Sequence, residues 1–136
     1  MVEMLDGRLR EKLVSEARGA REQAYAPYSH DFKVGAAVLT EEGEIFTGCN
    51  IENASFGATI CAERVAVFKA VASGHRSIRA VAVIADTPDP ISPCGICRQV
   101  IAEFGADADI LMANTAGDTR VSGMRELLPA AFRFRR

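Results

Sequence analysis

"SIRAVAVIAD" (residues 77–86) decides the fold. Apart from Arg79 the run from Ile78 to Ala85 is apolar without a break. A strand with one wet face alternates apolar and polar side chains; an unbroken run belongs to a strand covered on both faces. Such a strand needs helices above and below it, and the flanking sequence supplies them. Upstream, residues 60–72 have helical character and stop at "SGH", a glycine-containing terminus. Downstream, a rigid "TPDPISP" loop leads to a helix over residues 95–104, closed by Gly105.

Further out, "FKVGAAVLT" (residues 32–40) and "EIFTGCN" (residues 44–50) read as two strands joined by an "EEG" hairpin turn. "ADILMAN" (residues 108–114) reads as a strand, "DTRVS" as a short one, and "GMRELLP" as a final short helix. The N-terminal stretch, residues 2–25, has helical periodicity, with Met4, Leu5, Leu9, Leu13, Ala17, Ala20 and Ala24 on one face until Pro27 breaks it. The order α-β-β-α-β-α-β-β-α predicts an α/β fold: a three-layer α-β-α sandwich around a mixed sheet of about five strands. With 136 residues and no repeat or linker, the chain is expected to form one domain, residues 1–136.

This topology gathers the cysteines. "TICAERVAV" (residues 59–67) puts Cys61 at the start of the helix before the central strand, and "SPCGICRQV" (residues 92–100) puts Cys94 at the start of the helix after it. At ~1.5 Å per helical residue and ~3.3 Å per strand residue, the descending helix and the returning strand have similar lengths. Cys94 therefore returns to the end of the sheet where Cys61 sits. Helix N-termini stabilise thiolates through free backbone N–H groups and the helix dipole. Cys94 and Cys97 have a common zinc-clasping spacing, and Cys61 adds a third sulfur. Three protein ligands leave one tetrahedral position open, which is the catalytic arrangement; four close the site. Glu63, two residues past Cys61, can stay beside the metal without binding it and can carry protons between water and a substrate nitrogen. Arg64 can hydrogen-bond the sulfurs and offset the net negative charge of three thiolates on zinc.

Competing readings are a pair of buried or redox thiols and a closed four-cysteine site using Cys49. Cys49 stands in a predicted strand, twelve residues before Cys61 and without paired spacing, and is read as a small buried side chain. His30 and His75 lie in loops and are not read as ligands. Arg98 stays open between a plain surface or ion-pairing residue and one that supports the metal ligands from behind.

Composition narrows the function classes. A net charge of −2 gives no global field to attract nucleic acid, and the only basic cluster is the tail "FRFRR" (residues 132–136). No apolar run approaches the ~20 residues that span a bilayer. The charged start "MVEMLDGRLREKL" lacks a signal-peptide stretch, so the expectation is a cytoplasmic protein with reduced thiols and no membrane partner.

The ligand-x-Glu of Cys61-Ala62-Glu63 and the later Pro93-Cys94-Gly95-Ile96-Cys97 follow the pattern of zinc nucleobase deaminases in its three-cysteine form. With "APYS", "FKVGAAV", "GCNIENAS", "CAERVAVFKAV" and "RELLPAAF" in order, the sequence resembles the small, three-cysteine cytidine deaminases over nearly its whole length. That resemblance implies hydrolytic deamination of cytidine and 2′-deoxycytidine with one zinc ion per subunit. It implies that Asn50 and Glu52 hold the ribose hydroxyls, that Phe32 packs on the pyrimidine, and that the Ala62 backbone meets the base. It also implies a homotetramer in which Phe132 reaches a neighbouring subunit's site. Three features depart from the pattern: an extra residue between Ser29 and Phe32, Phe56 in place of a tyrosine, and a tail after Phe132 without the usual proline. Two rivals remain open at this point. One is a deaminase of another cytosine nucleoside, such as a blasticidin-type antibiotic; the other is a non-catalytic zinc module that binds RNA or protein.

Overall fold

The computed structural model describes residues 5–134. The elements are α1 (Gly7–Arg21), β1 (Val34–Thr40), β2 (Ile45–Cys49), α2 (Ala62–Ala72), β3 (Ile78–Ala85), α3 (Gly95–Phe104), β4 (Asp109–Asn114), β5 (Thr119–Gly123) and α4 (Met124–Leu127), with a single 3₁₀ turn at Phe56–Ala58. The sheet has five strands in the order β2-β1-β3-β4-β5. Only β3 and β4 run parallel, and α3 makes the crossover between them; the other three pairings are antiparallel. This is the expected mixed sheet, and β3 at its centre is the "SIRAVAVIAD" run.

Alternation along the strands sorts the two layers. Ala36 and Val38 of β1, Val81, Val83 and Ala85 of β3, and Ile110 and Met112 of β4 pack with α2 and α3, including Ala66, Val67, Ala70 and Ile101. The intervening Ala37, Leu39, Ala80, Ala82, Ile84, Leu111 and Ala113 pack under α1, against Leu13 and Ala17. Both faces of β3 are thus buried, which accounts for its unbroken apolar sequence. Gly48 lets α2 lie flush on β2: a Cβ there would meet Ala62 O at 2.5 Å and Ala66 N at 2.6 Å. That close approach fixes the start of α2, and with it Cys61, against the sheet.

The first helix is shorter than its periodicity suggests. Asp6 caps it, its carboxylate accepting from Leu9 N at 2.8 Å. At the other end, Glu22 N and Gln23 N donate to Gly19 O and Ala20 O, i−3 bonds that tighten and end the helix after Arg21. Tyr25 is not helical but forms a parallel bridge to Ile51. The expected helical residues 2–4, Met4 included, lie outside the described residues, as do Arg135 and Arg136 of the basic tail. Among the described residues no helix is long and apolar enough to cross a membrane.

Candidate metal centre and active site

Cys61 and Cys94 are the N-cap residues of α2 and α3, with extended backbones (ψ 153° and 171°) and no side-chain capping bond, so both sulfurs are free for another partner. Cys97 follows one turn into α3 and is fully buried. The three Sγ atoms lie within 4.8 Å of one another and form the only such group of potential ligands among the described residues. Cys49 does not join them. It sits half-buried in β2 opposite Gly35, and burial raises its thiol pKa.

The donor set fits a zinc ion. Cys61 Sγ and Cys94 Sγ are 3.8 Å apart, far beyond disulfide length. A tetrahedron built on zinc–sulfur bonds of about 2.3 Å has edges of about 3.8 Å. The electrostatics also call for a cation. Cys61 is held at about 5, first by the hydrogen bond from the Cys97 thiol and then by Arg64 and Cys94, against the opposing effect of burial. Cys97 is driven far upward by that same hydrogen bond and by burial. Thiolate charge gathered at this point favours positive charge beside it. Arg64 supplies some, its Nη2 donating to Cys61 Sγ at 3.6 Å, while its buried Nε has no hydrogen-bond partner.

A cavity of about 240 Å³ opens beside the sulfurs, lined by Phe32, Val34, Asn50, Thr59, Ile60, Cys61, Ala62, Glu63, Ile91, Ser92 and Cys94. Hollows of similar size under α1 and beside α4 contain none of the three sulfurs. Glu63 stands in the first turn of α2, 4% exposed. Burial, reinforced by the Cys61 charge, raises its carboxyl to about 7. A carboxyl that holds its proton near neutrality can both accept and return one.

The expected substrate-binding residues divide. Phe32, Asn50 and Ala62 line the cavity with the sulfurs. Asn50 also braces the wall: its Oδ1 accepts from Val34 N and its Nδ2 donates to Phe32 O, both at 2.8 Å. Glu52 instead lines an adjoining hollow with Tyr28, Ser29, Phe56 and Thr59. Its Oε1 accepts from Tyr28 N at 2.7 Å and Ser29 N at 3.1 Å, and its Oε2 accepts from the Ser29 hydroxyl. The Ser29 hydrogen bond, with the backbone donors behind it, lowers the Glu52 pKa against a smaller opposing effect of burial. Phe132 is 70% exposed and absent from the cavity of its own chain; its carbonyl accepts from Gln99 Nε2 at 3.0 Å.

Before Phe32 the chain turns through His30 and Asp31, both with positive φ (56° and 62°), a conformation that His and Asp adopt more readily than most residues. Asp31 N closes this turn on Ala26 O at 3.0 Å. The sequence reading did not single out Thr59, Ile60, Ile91 and Ser92, although each flanks a ligand cysteine and could have been found by that proximity. Ser29 was also missed; 23 residues separate it from Glu52, and no local pattern announces the contact.

Comparison with known proteins agrees with this geometry. The family model described as the cytidine and deoxycytidylate deaminase zinc-binding region matches residues 8–113. A cytidine deaminase of Sporosarcina psychrophila is 55% identical over 123 residues, 90% of each chain. One of Halalkalibacterium halodurans is 52% identical over 124 residues, 90% of this chain and 93% of the other. The crystal structure of cytidine deaminase from Burkholderia pseudomallei superposes with a TM-score of 0.86 at 50% identity, covering 90% of this chain and 98% of the other.

Proposed function

The chain belongs to the cytidine and deoxycytidylate deaminase zinc-binding family, and from that membership we propose that it converts cytidine and 2′-deoxycytidine to the corresponding uridines, adding water at C4 and releasing ammonia. The observation that carries this reading is the three-sulfur cluster at two helix N-termini, two of whose cysteines, Cys61 and Cys94, line one cavity with the buried Glu63. Cys61, Cys94 and Cys97 would hold the zinc. When bound, the ion supplies the Lewis acidity that makes water nucleophilic near neutral pH.

The remaining work falls to the protein's own groups. Glu63 takes a proton from the attacking water and delivers it to pyrimidine N3, then carries the proton of the new C4 hydroxyl to the departing amine as the C4–N bond breaks and C4=O forms. Burial keeps bulk water from that carboxyl and holds its proton affinity near neutrality. Phe32 offers a ring face to the base, and Asn50 fixes the backbone on either side of Lys33, which sets that ring's position. The Ala62 backbone borders the base. Arg64 offsets charge on the sulfurs.

Asn50 and Glu52 are proposed to bind the ribose hydroxyls, and their unused capacity suits them to it. The two internal bonds of Asn50 together use one of its amide's two donors and one of its oxygen's two lone-pair sites, leaving one of each. The Glu52 carboxylate, with about four acceptor sites, has given up three, leaving one on Oε2. That anion disfavours a phosphate, so the nucleoside is preferred to the nucleotide that the family also covers. The same reading includes a homotetramer in which the exposed Phe132 ring completes a neighbouring site, and a cytoplasmic location.

The test follows the ultraviolet change as cytosine becomes uracil with cytidine, 2′-deoxycytidine, deoxycytidylate and blasticidin-type nucleosides in parallel. Turnover of the first two, with deoxycytidylate far weaker, is expected. Preference for deoxycytidylate or for the antibiotic would reject the nucleoside assignment.

A further inference from the structure

We propose that Arg98 is a positioning residue for the metal-binding loop, locking Ser92 and Pro93, immediately before the ligand Cys94, to the end of α4. Its guanidinium holds three acceptors at once. Nε donates to Pro93 O, Nη2 to Ser92 Oγ and Nη1 to Leu127 O, each at 2.8 Å. Its backbone N also donates to Cys94 O at 2.9 Å, so side chain and main chain grip the same loop.

Each bond has a physical reason. Cys94 N-caps α3 through its backbone while its side chain makes no capping bond. The first N–H groups of α3 thus have no side-chain acceptor of the kind a serine or aspartate cap would give, and nothing from Cys94 holds the residues before it. Arg98, one turn into α3, reaches back and braces those residues through its own donors. Leu127 O belongs to the last residue of the four-residue α4, where helix carbonyls have no partner of their own. Arg98 satisfies that carbonyl and ties α4 to the loop. The neighbouring Gln99 takes Phe132 O at 3.0 Å, so the two residues following Cys97 anchor the C-terminal segment at two points. A planar, always-charged fork can reach three acceptors in fixed directions, which a lysine ammonium on a flexible stem does not reproduce. Ile91 and Ser92 also wall the cavity, so the fork steadies the pocket and the metal ligand together.

This inference rests on the zinc-site reading above, and the test separates the two. Zinc release from the purified full chain is timed with a chromophoric chelator for the parent, Arg98→Lys, Arg98→Gln, Ser92→Ala and Arg120→Gln. The last removes an exposed arginine whose ion pair with Asp89, at 3.9 Å, lies on the surface. The cobalt-substituted forms are compared by their thiolate charge-transfer and ligand-field bands. Outer partners of metal ligands commonly change affinity by 10–100-fold. Release at least ~10-fold faster is expected for both Arg98 variants, with displaced cobalt bands. Ser92→Ala should give a smaller change of the same sign, and Arg120→Gln none. If Arg98→Gln does not fold, Arg98→Lys and Ser92→Ala carry the test. Parental release and parental cobalt bands in folded Arg98→Lys and Ser92→Ala would overturn the inference alone. A parent chain that binds no zinc would contradict the proposed function instead.

Discussion

At Glu63 two features meet that seldom coincide in one carboxyl: near-complete burial and proximity to a thiolate. Replacing it with glutamine keeps the shape and removes the ionisable group proposed to carry the proton. Glu63→Gln should lower kcat by at least ~10²–10⁴-fold while zinc per chain, measured by elemental analysis, stays at the parental level. Near-normal turnover would remove Glu63 from its role. A second titratable residue lies far from the chemistry. His75 packs against Phe46 with the rings tilted by 55°, and bonds Glu42 at 3.0 Å and Glu44 at 3.1 Å, one carboxylate to each ring nitrogen. The Glu42 hydrogen bond, with the charges of both glutamates, raises its pKa against a smaller effect of burial. Its stabilising contribution is full below the unfolded value of about 6.5 and fades as pH rises through the raised folded value. Tm of His75→Gln should therefore fall further below the parent's at about pH 5.5 than at about pH 9. The cysteines and Glu63 were legible because their spacing is local. Ser29 was not, because its partner Glu52 is set by the fold and not by neighbouring sequence.

The elements that carry the site hold their places through specific features of their sequence. β3 was readable because an apolar run of that length has one comfortable environment, a sheet covered on both sides. The second and third helices were readable from their glycine-containing stops and from the cysteines that open them. The ends of α1 were less so. Apolar spacing continues past Arg21 to Ala24, but i−3 hydrogen bonds and the Tyr25 bridge to Ile51 end the helix first. Its start turns on the side chain of Asp6, which a periodicity count does not register. Asp6→Ala should cost ~1 kcal/mol of stability, read by urea unfolding. Gly48 is more demanding. An alanine methyl would press on the α2 backbone at Ala62 O and Ala66 N, atoms that cannot rotate aside. Gly48→Ala should destabilise the chain by ~1–3 kcal/mol or more. It should also speed zinc loss, because the turn it displaces begins at Cys61. A variant as stable as the parent would mean that α2 is not seated by that contact.

For the molecule as a whole, sheet and helices together place the three sulfurs. Two layers of side chains fix β1, β3 and β4, and the sheet in turn brings two helix N-termini to the same end. The layer order followed from the sequence because the strand and helix periods were distinct. The grip of Arg98 on Ser92, Pro93 and Leu127 did not, because it joins segments that meet only after α4 folds back. An ion that binds the folded chain far better than the unfolded one raises stability by mass action. Stripping zinc with a chelator should lower Tm, and stoichiometric zinc should restore it; an unchanged Tm would mean that the three sulfurs contribute nothing to the fold. Three sulfurs leave the fourth zinc position for water, and zinc K-edge X-ray absorption on the purified chain reads that coordination shell. Three sulfur neighbours at about 2.3 Å and one nitrogen or oxygen neighbour at about 2.0–2.1 Å are expected. A shell of four sulfurs would bring Cys49 into the site and rule out the open position.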